Sequence, residues 1–190
     1  MIKHLIEINE TYKYKLNVAY PLSSFNNVNK AILSMINKAL KEFIQVSKRT
    51  TQTNMYYSLY ITYKEYEYNG ITSYIFKFSE FTGGAHPNNY LQSIRFDKDG
   101  NIITIDTLLG KDNDILNKLS AVTRKDLLSR KDFKDDNVMS MVLDGTRASK
   151  DNFKNFAFTN EGLLVFFDYY QVAPYYYGIQ KVLISYNLLN

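Results

Sequence analysis

The chain has 190 residues, 45% of them hydrophobic and 22% charged, with a net charge of +4. A chain of that length folded as one domain removes roughly 70% of its unfolded surface from water, so no metal or disulfide is required for stability. The absence of cysteine excludes disulfides, thiol catalysis and Cys-ligated zinc; the 23 Lys and Arg are mixed with 19 Asp and Glu rather than gathered into a stripe, which argues against nucleic-acid binding.

In chain order, the start "MIKHLIEINETYKYKLNV" has no apolar h-region and is not a signal peptide. Residues 2–20 alternate loosely, as one strand or a bent pair. After "YPLSSFNN" the period changes. Val28, Ala31, Ile32, Met35, Ile36, Ala39, Leu40, Phe43 and Ile44 recur at three and four, giving an amphipathic helix. Ser23, Ser24, Asn26 and Asn27 are N-cap candidates, and Lys48 and Arg49 in "SKRT" (47–50) suit the helix C-terminus. Burial is expected for Ile32, Met35, Ile36, Leu40 and Phe43.

Residues 55–68 read as a strand. Asn69-Gly70 is a two-residue hairpin signal, since both turn positions need positive φ, and residues 71–81 return. After "FTGGAHPNNY" a third strand runs over 90–96, and "DKDG" (97–100) turns it into 102–105. This is a meander, hence antiparallel pairing. Asp112 or Asp114 caps a second helix over 115–129, with Leu116, Leu119, Val122 and Leu127 apolar. Residues 130–150 look polar and irregular. A hairpin follows over 153–158 and 163–168, then the loop "YYQVAPYYYG" (169–178) and a last strand over 181–186. The expected fold is α+β: a curved antiparallel sheet, meander plus C-terminal hairpin and strand, packed on two helices. It forms one domain over 1–190, built from an N-terminal module of about 1–97 and a C-terminal module of about 98–190.

No nucleotide-binding, zincin or nucleophile-elbow motif is present. Two histidines, His4 and His86, cannot supply a multi-histidine metal site, and no metal or cofactor is expected. "DKDGN" has its glycine two positions too early for an EF-hand. Asp132, Asp135 and Asp136 read either as a weak cation site or, with more weight, as a solvated loop. Gly83, Gly84 and Pro87 read as a structural corner: glycine permits positive φ, and proline forces the preceding residues toward extended geometry. The other reading is that the corner's amides and His86 line a groove. In the second outlying stretch, Tyr169, Tyr170, Tyr175, Tyr176 and Tyr177 crowd one loop. Tyrosine is rigid and amphipathic and suits a binding surface, or alternatively covers a sheet edge.

The segments "FSEFTGGAHPNNYLQSIRFDKDGNIITIDTLL" and "NFAFTNEGLLVFFDYYQVAPYYYGIQKVLISYNLL" resemble an extracytoplasmic bacterial domain family of unknown function. Its members include the sensing domain of an anti-sigma factor that recognises lysozyme and domains that precede peptidoglycan deacetylase catalytic domains. The upstream strand, "YP", long helix and tyrosine-rich strands resemble the module that usually precedes it. The resemblance implies an extracytoplasmic, non-catalytic domain that binds or senses lysozyme or a cell-wall glycan, with its signal or anchor absent from this chain. Taken with the residue reading above, the expected ligand residues are Tyr169, Pro174, Tyr175, Tyr176, Tyr177 and His86, with Gly83, Gly84, Pro87 and Gly178 structural. The chain departs from the family where a small residue usually follows "PY": here Tyr176 and Tyr177 follow Tyr175. The alternative is an enzyme acting on cell-wall polysaccharide through His86 and a nearby carboxylate.

Overall fold

The computed structural model of the protein describes residues 1–49, 55–109 and 114–189. The end of the basic stretch at Thr50 and the Asp112 cap candidate lie outside these residues. The architecture is α+β, and the chain divides into two compact units. The first comprises Met1–Lys64 and Phe76–Ile94; the second comprises Glu65–Ile75 and Arg95–Asn190.

The opening residues form two strands, β1 (Ile2–Asn9) and β2 (Tyr14–Pro21), paired antiparallel. Helix α1 (Asn26–Arg49) follows. Its entry is bracketed by Ser23 and Asn29: the Ser23 N–H donates to Asn29 Oδ1 at 2.9 Å, and Asn29 Nδ2 donates to the Ser23 carbonyl at 2.9 Å. Val28, Ile32, Ile36, Ala39 and Phe43 are buried along one face, and α1 packs on β2, where the Phe43 ring meets Tyr14 edge-on. Met35 and Leu40, expected in this buried row, are only half-buried. They flank the stripe, and Ala39 takes the inner position.

Strands β3 (Tyr57–Tyr68), β4 (Ile71–Phe81) and β5 (Asn88–Phe96) complete a five-stranded sheet in the order β1-β2-β3-β4-β5. The β3–β4 turn has positive φ at Asn69 and Gly70, as the two-residue signal required. The sheet is not wholly antiparallel. β2 and β3 run parallel, with Leu16 opposite Leu59 and Val18 opposite Ile61. The intervening α1 is long enough to carry the chain back to the same end, and a parallel pair needs such a crossover.

Beyond β5 the structure departs from the sequence reading. The expected strand at 102–105 is reduced to one bridge, Phe96 to Ile102, because helix α2 (Ile105–Leu109) begins there. Helix α3 (Asp114–Ser129) stands as expected, with Leu116, Leu119 and Leu127 buried. The stretch read as irregular contains a 3-10 turn (Lys131–Phe133) and helix α4 (Asp136–Gly145). Asp135, a member of the candidate cation site, is the N-cap of α4, its carboxylate accepting from the Asn137 and Val138 N–H groups. Strands β6 (Phe156–Thr159), β7 (Gly162–Phe167) and β8 (Gln180–Ile184) form a separate three-stranded antiparallel sheet in that order, in place of one continuous sheet. α3 packs on β8 and on α4. Leu119, Leu127, Phe133, Val142, Phe153, Phe167, Val182 and Ile184 belong to the second unit's core.

Arg95 is buried in the second unit. Its guanidinium donates to the carbonyls of Ile103, Lys154 and Phe156 and lies 3.9 Å from the centre of the Phe156 ring. Burial lowers its pKa to about 10, which leaves it cationic at neutral pH.

Candidate functional site

The loop between β7 and β8 is held from behind at every few residues. The Asp168 N–H donates to Gln171 Oε1 at 3.0 Å, and Gln171 N–H returns to the Asp168 carbonyl at 3.1 Å. This tight turn places Tyr170 at φ 61. The Gln171 amide then reaches into the fold, donating to the carbonyls of Gly145 (3.1 Å) and Asn152 (3.0 Å). The approach to α4 is so close that a Cβ on Gly145 would lie 2.0 Å from the Gln171 carbonyl oxygen. Val172 and Ala173 follow into the core.

Pro174 then turns the chain outward, and Tyr175–Tyr177 form a 3-10 turn closed by Gly178 at φ 67. The Gly178 N–H donates to the Tyr175 carbonyl at 2.9 Å. Glycine suits the positive φ here because no Cβ clashes with the backbone. Arg130 secures the far side, donating to Gln180 Oε1 and the Lys181 carbonyl, while Gln180 Nε2 donates to the Tyr177 carbonyl at 2.7 Å.

The five tyrosines therefore do different things. Tyr177 turns inward: its ring meets Phe133 edge-on at 5.2 Å, and its hydroxyl donates to the Asp132 carbonyl at 2.7 Å. The phenol's pKa is raised, first by its hydrogen bond with Tyr176, then by desolvation and by the nearby Asp132 and Asp135 carboxylates. Tyr175 sits between Tyr169 (5.0 Å between ring centres) and Tyr170 (5.6 Å), both tilted against it. Tyr170 is 55% exposed and Tyr176 80% exposed. The loop thus presents rings on a backbone that has few degrees of freedom left.

The other predicted residues lie in the first unit. Gly83 and Gly84 have φ of 97° and 103°, values that L-residues rarely adopt. The segment from Gly83 to His86 is exposed, and His86 Nδ1 lies 3.0 Å from the Pro87 carbonyl oxygen. Among the described residues no group of three or more His, Asp or Glu could hold a metal ion, and no helix is long and apolar enough to cross a membrane. The "DKDG" turn uses its own carboxylate: Asp97 accepts from the Asn101 side chain and from the Asp99 and Asn101 N–H groups, which hold its pKa below the ordinary value, Asn101 first.

Sequence reasoning missed a cleft in the second unit. An open space of about 470 Å³ is lined by Tyr66, Thr159, Asn160, Glu161, Leu164 and Leu183. A smaller one of about 270 Å³ adjoins it at Asn160, against the tip of the β3–β4 hairpin. Tyr186 braces this region: its hydroxyl donates to the Thr159 carbonyl and accepts from the Thr159 N–H, and its ring stacks on Tyr68 at 5.1 Å. The only signals in the sequence were two turns, Asn69-Gly70 and "TNEG", with nothing to say that they meet.

The chain is similar to several known proteins. Over 192 aligned residues, 99% of this chain, it is 29% identical to the peptidoglycan-N-acetylmuramic acid deacetylase PdaC of Bacillus subtilis, of whose length the match covers only 40%. It is 25% identical to the immunogenic protein MPT64 of Mycobacterium tuberculosis over 90% of this chain and 74% of that one. Two solved DUF3298 family structures share the fold. One, from Pseudomonas aeruginosa, has a TM-score of 0.67 at 16% identity, covering 100% of this chain and 92% of its own. The other, from Bacteroides fragilis, has a TM-score of 0.64 at 16% identity, covering 100% and 91%. Residues 106–187, which hold α3, α4, the three-stranded sheet and the tyrosine loop, match the family described as "Protein of unknown function (DUF3298)".

Proposed function

We propose that this chain is an extracytoplasmic, non-catalytic binding domain that recognises a cell-wall glycan through the loop 169–178. Tyr170, Tyr175 and Tyr176 form the outer contact, with Tyr169 and Pro174 beside them and Tyr177 anchoring the group. The observation that carries this reading is the locked presentation of exposed rings. Gln171, Val172 and Ala173 fix the backbone from within, so little conformational entropy is lost on binding. Tyrosines add large contact area with few rotatable bonds, and sugar rings stack on such faces. A relative named for action on peptidoglycan is consistent with a wall ligand. Lysozyme recognition is the finer alternative within the same reading. The net charge of +4 disfavours a strongly cationic partner at long range, which favours the glycan.

The test is sedimentation with purified peptidoglycan and calorimetry with soluble wall fragments. The parent should bind, and Tyr175→Ala and Tyr176→Ala should each weaken binding several-fold with the thermal transition unchanged. His86→Ala belongs in the same series as an independent contact. Full binding in both tyrosine variants would reject the surface. Acetate or sugar release by the parent, lost in His86→Ala, would make the domain an enzyme instead.

A further inference from the structure

We propose that the protein forms a two-fold dimer in which β1 of one copy pairs antiparallel with β1 of a second copy, extending the five-stranded sheet across both. β1 is the outermost strand of that sheet. It is eight residues long and carries exposed isoleucines, with Ile2 at 56%, Ile6 at 71% and Ile8 at 60% exposure. A long apolar edge is a template for strand addition, and soluble proteins usually blunt it. Here the sequence fits a particular occupant.

The hydrogen-bonding parity of β1 can be worked out. Leu22 N–H donates to the Met1 carbonyl at 2.7 Å, and Ile2 stands opposite Pro21, which has no N–H to give. Bonded and non-bonded pairs alternate along an antiparallel ladder. Lys3, Leu5 and Glu7 therefore turn their peptide groups toward β2, and Ile2, His4, Ile6 and Ile8 turn theirs to the outer edge. A second β1 can bond only in a register that pairs these outward residues with one another.

A two-fold axis at Leu5 does so. It pairs Ile2 with Ile8 of the second copy and His4 with Ile6 of the second copy, each pair exchanging both backbone bonds. On the opposite face it sets Leu5 against Leu5, and Lys3 against Glu7 of the second copy. The lysine–glutamate pairs fall at non-bonded positions, where facing side chains come closest. By symmetry the ion pair forms twice, and Ile2 meets Ile8 twice. Lys3 alone would guard the edge, but a carboxylate four residues on neutralises that guard only for a strand of this same sequence. The interface is isologous, as closed dimers require.

The experiment is sedimentation equilibrium of the whole chain over a concentration series. The parent should show a reversible monomer–dimer equilibrium. Lys3→Glu and Glu7→Lys should each weaken it by roughly tenfold or more, because each turns two attractive pairs into repulsive ones. Mixing the two variants should restore a heterodimer of parental strength. One copy then carries a carboxylate at both charged positions of β1, the other an ammonium at both, and every facing pair is attractive again. Glu7→Lys also removes a carboxylate that accepts from the Tyr14 hydroxyl; if it does not fold, Ile6→Lys serves as the second disruptor and Lys3→Glu still carries the charge test. A parent that stays monomeric throughout, or association that survives Lys3→Glu unchanged, overturns the proposal. Failure of the mixed variants to recover overturns the register.

Discussion

Gly145→Ala puts the positioning of the tyrosine loop to the test, because two effects there have opposite signs. Gly145 is the last residue of α4, and alanine in place of glycine in a helix gains about 1 kcal/mol from propensity alone. Against that, the new Cβ would stand 2.0 Å from the Gln171 carbonyl oxygen and 2.8 Å from both the Gln171 carbonyl carbon and Val172 Cγ1. Two of these three atoms are backbone, so no side-chain rotation relieves the contact. Overpacking of this kind costs about 1–3 kcal/mol. The loop would have to retreat, weakening the Gln171 amide bonds to Gly145 and Asn152 at about 1 kcal/mol each. The balance is a loss of roughly 2–3 kcal/mol, or about 4–12 °C in the thermal transition of the whole chain. Urea titration or scanning calorimetry measures it. Gly178→Ala is the comparison: nothing lies within 4 Å of its Cβ position, and only the φ of 67° opposes it, so the cost is about 1 kcal/mol. A Gly145→Ala protein as stable as the parent, or more stable, would show that helix and loop are not in the contact described and that the rings are not held from behind.

Other outcomes can be checked on the same instruments. Phe43→Ala, at a fully buried position on α1, should cost about 3–5 kcal/mol, while Lys38→Ala on the exposed side should stay within about 0.5 kcal/mol. Arg95→Ala should cost roughly 3 kcal/mol or more, because it abandons three carbonyl acceptors, that of Phe156 buried and the other two part-buried, and a ring contact together. Glu80 has its pKa raised, first by desolvation and then by Glu42. Its folded form holds the proton more tightly than the unfolded chain, so its stabilising contribution is present below about pH 4.3 and is lost as pH rises through the folded pKa. Glu80→Gln should therefore raise the melting temperature near pH 7 and make little difference in acid; an equal effect at both pH values would contradict that origin.

What could be read from the sequence was what is local. The three-four spacing from Val28 to Phe43 specified α1, and Asn69-Gly70 specified its turn, because helix periodicity and positive φ are properties of neighbouring residues. Helix α4 went unseen although its signals were present: Asp135 is a capping residue, and Val138 and Val142 stand four apart. Lys131, Asp132, Lys134, Asp135 and Asp136 made the stretch look like solvated loop and outweighed the apolar residues Val138, Met139, Met141, Val142 and Leu143 that follow them. The strand expected at 102–105 failed for a similar reason in reverse. Its residues, three isoleucines and a threonine, favour a strand, yet Thr104 and Thr107 cap a helical turn instead, each hydroxyl accepting from the other's N–H. Strand pairing is non-local, so the parallel β2–β3 pair and the separate β6-β7-β8 sheet had no local mark. The parallel pair did have an indirect one, since a helix of 24 residues between two strands allows a crossover.

The tyrosine loop shows how far composition leads and where it stops. Five tyrosines in ten residues marked the segment as unusual, but composition cannot divide them into those that hold and those that face solvent. That division comes from Gln171, which carries no aromatic signal. Its amide spans three backbone groups, on Asp168, Gly145 and Asn152, and so sets which way Val172 and Ala173 point. Once these two are buried, Pro174 and the 3-10 turn leave Tyr176 outside and bring Tyr177 back onto Phe133. Gln171→Ala is thus predicted to act on any binding by this surface without touching an exposed ring. It removes the brace, the turn at Tyr170 loses the bond from the Asp168 N–H to Oε1 and keeps only its backbone bond, and the platform gains alternatives that must be frozen out on binding. Its signature is a loss of affinity together with faster amide exchange at residues 168–178. A loss of affinity with unchanged exchange would mean that Gln171 touches the ligand itself.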